Sequence, residues 1–165
     1  MLNDYTTYDS VRAVLGVSSR EFPDAVMATE IYELALRADL VQVGQGVSET
    51  TDLDADYLAL IDETDPLTAT AQSFYNAVRL FSAHSAAFKT LAAMPELSPI
   101  FISDSKASLR KDKSTVTSVV TGDYAKYRRH LAVMYAAFLG LSAPASFQPS
   151  LMNVSVPDFD PVTGA

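Results

Sequence analysis

One series of apolar positions, spaced by alternating steps of four and three residues, constrains the fold more than any other feature of the sequence. Its members are Leu67, Ala71, Phe74, Val78, Phe81, Ser85, Phe88 and Ala92. A helix of 3.6 residues per turn places such positions on one face, whereas a β-strand changes face at every residue. The spacing therefore predicts a long helix over about 67–93 that stops before Pro95.

A second series with the same steps predicts another helix over about 25–43, opened by Pro23-Asp24 and ended by Gly44. Its seam consists of Met27, Ile31, Leu34, Ala38 and Val41. We expect this seam to face the core. Three further apolar residues widen the face, namely Leu36, Leu40 and Val43. This helix should therefore be buried on more than one side.

Three more helices are predicted from caps and apolar spacing. The first covers about 7–15, with Thr6 or Thr7 as its cap and Gly16 after its end. The second covers about 53–61, and the last covers about 123–141. The stripe of the last helix is Tyr127, Leu131, Met134, Phe138 and Leu141.

Residues 99–121 differ in amino-acid composition from the predicted helices. The segments 99–103 and 115–121 are rich in β-prone residues, and the segment between them is polar and basic. We predict two short strands around an exposed loop, which would form a hairpin-like arm. The expected fold is mainly α: an antiparallel helical bundle over residues 1–141 that carries the arm, followed by an extended C-terminal tail, 142–165.

The tail combines four prolines and no Lys or Arg with several large apolar side chains. Those side chains are Phe147, Leu151, Met152, Val154, Val156 and Phe159. A solvated disordered tail is normally poorer in such residues. We expect an extended segment that docks on its own domain or on another chain. The alternative is a partly frayed terminus.

The composition leaves little material for catalysis. The chain of 165 residues has no cysteine and two histidines, so thiolate chemistry is excluded and a histidine metal site is not expected. The N-terminal residues lack the pattern of a signal peptide, and no apolar stretch is long enough to cross a bilayer. We therefore expect a protein that is not an enzyme, binds no cofactor and does not enter a membrane.

Two motif-like segments remain as weaker alternatives. Gly44-Gln45-Gly46 is similar to part of a phosphate-binding loop, but it follows a predicted helix and lacks a third glycine. Asp52, Asp54 and Asp56 alternate as in a calcium loop, and Glu63 stands at the twelfth position, but the glycine of that motif is missing.

Charge is distributed unevenly along the chain, whose net charge is −8. Residues 39–65 contain eight acids and no base, whereas residues 106–129 contain seven bases and two acids. One interpretation is an ordinary solvated surface. The other is a head-to-tail interface in which the acidic segment of one subunit meets the basic segment of the next. The expected contact residues are Asp52, Asp54, Asp56, Glu63, Arg110, Lys111, Lys113, Arg128 and Arg129. The basic arm could instead touch nucleic acid.

The order of the predicted elements resembles the head–tail adaptor (connector) proteins of tailed bacteriophages. Two stretches carry this resemblance. One is 4–17 with the following Phe22-Pro23-Asp24, and the other is 102–107 with the Tyr/Arg-rich helix 124–141.

The resemblance implies a structural virion protein at the head–tail junction, made in the host cytoplasm. It implies a homo-oligomeric ring, commonly of twelve copies, that lies beneath the portal protein and joins the capsid to tail or neck proteins. Double-stranded DNA would pass through the ring without sequence-specific binding, and the tail would dock on the portal through its apolar residues. The alternative function is a soluble helical module that binds or regulates a protein partner.

Overall fold

The computed structural model describes residues 2–20, 22–93, 101–104, 107–110 and 113–142, and the fold in these residues is mainly helical. The helices are α1 (Leu2–Tyr5), α2 (Tyr8–Leu15), α3 (Asp24–Met27), α4 (Glu30–Val47), α5 (Leu53–Ile61), α6 (Ala69–Ala93) and α7 (Lys113–Phe138). The strands are β1 (Phe101–Asp104) and β2 (Ala107–Arg110). The expected class, a helical bundle with a hairpin, is therefore confirmed; the predicted tail lies almost entirely outside the described residues.

The longest helices, α4, α6 and α7, form an up-down-up bundle. Phe74 packs on Tyr135 near one end of the α6–α7 pair and Phe81 packs on Tyr124 further along, so these two helices are antiparallel. Helix α4 lies parallel to α7, because Asp39 bonds Tyr124 and Gln42 bonds Arg128. The core consists of their inner faces, closed by the short N-terminal helices and α5.

The seam predicted for α6 is confirmed from Ala71 to Ser85, whereas Phe88 is half-buried and Leu67 lies before the helix. Ala71, Phe74, Val78, Phe81 and Ser85 are all buried. The prediction placed the helix start two residues too early. Thr68 lies just before the helix, and its hydroxyl accepts a hydrogen bond from the backbone N–H of Ala71. Helices α2 and α5 also occupy their predicted spans, with Thr7 and Asp52 as side-chain caps.

The single helix predicted over 25–43 is wrong. The chain forms α3, then leaves the helical conformation at Thr29, which becomes the residue before α4. Gly44 does not end α4 but lies inside it. A Cβ at Gly44 would come within 3.1 Å of the Leu53 Cβ, so the glycine permits the close approach of α5.

The predicted seam is wrong for the residues that lie on α4, although Met27 is buried in α3, and Leu36, Leu40 and Val43 are buried as expected. Of its seam, Ile31, Leu34 and Val41 are 65%, 56% and 40% exposed, and Ala38 is exposed as well. The face that packs in the core contains Leu36, Leu40, Val43 and Gly44. Both faces have helical spacing, and only the second one meets α5, α6 and α7.

The arm differs from its prediction in its second half. Strand β1 pairs antiparallel with β2, with Phe101 opposite Arg110 and Asp104 opposite Ala107. The segment predicted as the second strand, 115–121, belongs instead to α7, which begins ten residues before its predicted start. Val120 is buried in the bundle, and this packing outweighs the β-propensity of the segment.

The C-terminal stripe of α7 is shifted from its predicted position. Leu131 is buried as expected, and Tyr127, Met134 and Phe138 are half-buried against the core. Leu141 lies after the helix and is 46% exposed.

Candidate functional site

The predicted acidic contact residues divide into internal and external ones. Asp54 is buried, accepts a hydrogen bond of 2.6 Å from the Tyr5 hydroxyl, and pairs with Arg37 Nε at 2.9 Å. Asp56 is half-buried and accepts from the Tyr135 hydroxyl at 2.6 Å. These two carboxylates hold α5 against its neighbours. Neither Asp54 nor Asp56 therefore belongs to the exposed acidic surface of the bundle.

The remaining acids lie outside the bundle. Asp52 is exposed, and its carboxylate caps α5 by accepting from the Ala55 N–H at 3.1 Å. Glu63 is exposed in the connection to α6, as are its neighbours Asp62 and Asp65. Together with Glu49, these exposed residues form what we call the acidic surface: Glu49, Asp52, Asp62, Glu63 and Asp65.

The structure describes the surroundings of only some of the predicted basic residues. Lys111 lies outside the described residues, whereas Arg110 ends β2 and Lys113 begins α7. Arg128 and Arg129 are half-buried on α7, and Lys126 beside them is exposed. Arg128 donates to the Gln42 side chain at 3.4 Å, while its Nε has no hydrogen-bond partner within the described part of the chain. We call Lys126, Arg128 and Arg129 the basic surface. The predicted portal-docking residues Phe147 to Phe159 all lie outside the described residues.

A buried carboxylate that the predictions did not single out connects the three long helices. Asp39 of α4 accepts from Ser85 Oγ at 2.8 Å and from the Tyr124 hydroxyl at 3.2 Å, and it pairs with Lys89 Nζ at 3.2 Å. Asp39 and Ser85 are both buried. This carboxylate therefore has three donors, and hydrogen bonding together with pairing is what a buried charge requires.

Burial also governs the tyrosines around these carboxylates. It raises the pKa of Tyr124 to about 12, with the nearby Asp39 charge acting in the same direction. Burial raises the pKa values of Tyr5, Tyr57 and Tyr135 well above the ordinary value, and hydrogen bonds to Asp54 and Asp56 add to this for Tyr5 and Tyr135. These hydroxyls are donors held in the neutral form, so they serve as structural groups.

The geometry does not favour the calcium alternative. Asp54 points to Tyr5 and Arg37, whereas Asp56 points to Tyr135, so the alternating acids do not converge on one point. Among the described residues, no group of three His, Asp or Glu side chains is placed to hold a metal ion. His84 is buried, with Nδ1 2.8 Å from the Leu80 carbonyl and its ring 4.1 Å from that of Tyr127. His84 is therefore part of the packing between α6 and α7.

The surface that sequence reasoning missed is the outer face of α4. Its exposed apolar residues are Ile31, Leu34, Ala38 and Val41, and we call this set the α4 stripe. The residue spacing predicted correctly that this face is apolar, but we expected the face to lie in the core. None of the helices that the structure describes has the length and apolar character needed to cross a bilayer. No protein-family model, no curated protein and no solved structure matches this chain.

Proposed function

We propose that this chain is a structural subunit of a ring in the neck of a tailed phage, where it joins the portal to the tail. The observation that carries the proposal is the presence, on one subunit, of two separate surfaces of opposite charge. Helix α5 and the segments at its two ends present the acidic surface, and α7 presents the basic surface. Surfaces that differ and complement each other can join head to tail, and such contacts form a ring when the rotation between neighbours closes.

The fold supports this proposal in a second way. Internal carboxylates connect α4, α5, α6 and α7 through Asp39, Asp54 and Asp56. A subunit stiffened in this way presents its surfaces in a fixed relative orientation, which ring closure requires. The net charge of −8 would also keep DNA from adhering to the channel wall, because like charges repel.

The expected partners follow from the proposed position. They are further copies of the chain, commonly twelve, the portal protein, tail or neck proteins, and double-stranded DNA in passage. The protein would be a component of the virion, assembled after synthesis in the host cytoplasm. It would act by fitting against its neighbours and would make or break no bond.

Native mass spectrometry over a range of salt concentrations tests the ring. We expect a species of about a dozen subunits, alone or with a portal, that weakens as salt rises because exposed charges are screened. Arg129→Glu should weaken assembly strongly. Arg20→Glu, which changes the net charge equally at an exposed residue outside the basic surface, should not. A monomer at every salt concentration and with every candidate portal would end the proposal.

Docking on the portal has its own test. A variant that lacks residues 142–165 should fold and form the same ring, yet fail to bind the portal in an electron micrograph of the mixture. Loss of monomer stability in this variant would show that the tail packs on its own domain.

The exposed α4 stripe favours a second candidate, a helical module that binds a protein partner. A helix face with four apolar residues at seam spacing fits a partner helix as well as a ring neighbour. This candidate predicts a monomer or dimer whose stability is insensitive to salt, so the same mass spectrum separates the two.

A further inference from the structure

The guanidinium of Arg128 on α7 uses little of its hydrogen-bonding capacity. The side chain is half-buried, and its buried Nε has no hydrogen-bond partner within the described part of the chain. Its bond from Nη2 to the Gln42 side chain is long, at 3.4 Å. Arg12 and Arg37 pair with carboxylates, whereas Arg128 forms no such pair with any described residue. A buried donor without an acceptor is unfavourable, so this side chain would gain from a further partner.

The surroundings of Arg128 are cationic. Lys126 is exposed and Arg129 is half-buried, so the basic surface has three cations within four consecutive residues. The buried Asp39 carboxylate, about one turn before Gln42 on α4, already has three donors. The positive charge of this surface is therefore not neutralised by the described residues around it.

The missing partner has a definite chemistry. A guanidinium offers parallel N–H donors that match the two oxygens of a carboxylate. By a rotation of its side chain, Arg128 can exchange a long bond to a neutral amide for two charge-assisted bonds. Its Nε–H then has an acceptor. The site therefore fits an acidic protein surface.

The chain carries such a surface in the connection between α5 and α6. Asp62, Glu63 and Asp65 are exposed there, and we call these three residues the acidic connection. None of them forms an ion pair with another described residue. Three carboxylates within four residues match the three cations within four residues on α7.

Within one subunit, the acidic connection and Arg128 lie at different levels of the bundle. The connection precedes α6, whose Phe74 packs on Tyr135 of the antiparallel α7. Arg128 precedes Tyr135 on α7 by seven residues, or about 10 Å, and so lies further from the start of α6. The two groups are therefore placed to meet between copies, with unlike charges opposed.

We propose that Arg128 binds a carboxylate of the acidic connection of the next copy in the ring. Two different surfaces meet in this contact, so it is heterologous and can repeat head to tail. The inference rests on the proposed ring and names the residues of its charged contact. Lys126 and Arg129 attract the connection, and the two donors of Arg128 fix its orientation.

Exchanging the charges of the two surfaces tests the contact. The α7 variant carries Arg128→Glu and Arg129→Glu, and the connection variant carries Asp62→Arg and Glu63→Arg. Each variant alone should stay monomeric, because like charges then oppose each other. An equimolar mixture should form rings that contain both kinds in equal numbers, as counted by native mass spectrometry. The connection variant mixed with Arg20→Glu, a reversal at an exposed residue outside the basic surface, should give no such rings.

A milder substitution separates the guanidinium from its charge. Arg128→Lys keeps the charge but cannot offer two parallel donors, so the dissociation constant between copies should rise about ten-fold. Lys126→Arg, at an exposed neighbour, should assemble like the wild type. Circular dichroism melts confirm that each variant is folded. If Arg128→Lys assembles as tightly as the wild type, Arg128 does not bind the carboxylate as proposed.

The outcomes separate this inference from the proposed function. If the wild type forms rings but the two folded variants do not assemble when mixed, the contact is overturned and the ring remains. The same holds if either variant forms rings alone, or if Arg128→Lys loses binding to the portal or to DNA without a change in assembly. Dimers of the wild type and of the mixture would support the contact and overturn the ring. A wild-type protein that never self-associates overturns both.

Discussion

Removing the Asp39 carboxylate should cost the bundle a large part of its stability, since this one group bonds to both other long helices. In Asp39→Ala, the fully buried Ser85 hydroxyl loses its acceptor, which costs about 1–3 kcal/mol. Tyr124 is half-buried and loses a longer bond, at a cost of about 1 kcal/mol. The Lys89 side chain is 35% exposed and can be hydrated instead. We expect a total loss of about 3 kcal/mol.

The comparison with Asp39→Asn separates the carboxylate's shape from its charge. The amide oxygen can take the place of Oδ2, which accepts from both Ser85 and Tyr124. The amide NH2 then replaces Oδ1, so the pairing with Lys89 is lost and the partly exposed ammonium turns to water. The asparagine variant should therefore lose about 1 kcal/mol, and Glu49→Ala, at an exposed acid, should change the stability by less than about 0.5 kcal/mol.

Urea unfolding followed by circular dichroism gives the free energies, provided that the slope with urea is unchanged among the variants. A double-mutant cycle with Ser85→Ala should show a coupling of about 1 kcal/mol or more. The reasoning is refuted if Asp39→Ala costs less than about 1 kcal/mol, or if asparagine costs as much as alanine.

Three further predictions concern the core, the last helix and alkaline pH. Phe81→Asp should abolish the cooperative thermal transition, because it buries an unpaired carboxylate at a site with no exposure; a helical, cooperative variant would disprove the α6 seam. Gly122→Ala should stabilise by about 1 kcal/mol, since a Cβ there meets nothing within 4 Å inside α7; Gly140→Ala, at a φ of +69°, should destabilise. The folded state keeps the Tyr124 proton up to a pKa of about 12, whereas the unfolded state loses it near 10.0. The free energy of unfolding should therefore fall as pH rises through this window, by about 1.4 kcal/mol per pH unit for each such tyrosine. Tyr124→Phe should reduce this slope in urea titrations at successive pH values, and an unchanged slope would contradict the assignment.

The sequence predicted the helix spans where it showed a single apolar face or a clear capping residue. The α6 face from Ala71 to Ser85 and the Asp52 cap of α5 are of this kind, because the local pattern admits one arrangement. The arrangement of the candidate site was harder to predict from the sequence. Local spacing did not indicate that Asp54 would be buried. Its partners are Arg37 and the hydroxyl of Tyr5, and Tyr5 is 49 residues away in the sequence.

By itself, the sequence determined the helical class, the long α6 seam and the separation of acidic from basic segments, since these depend on neighbours a few residues apart. The tertiary structure alone decided which of the two apolar faces of α4 is buried and that 115–121 is helical. The reason is physical: periodicity reveals that a face is apolar, but only contact with distant helices removes one face from water and leaves the other exposed.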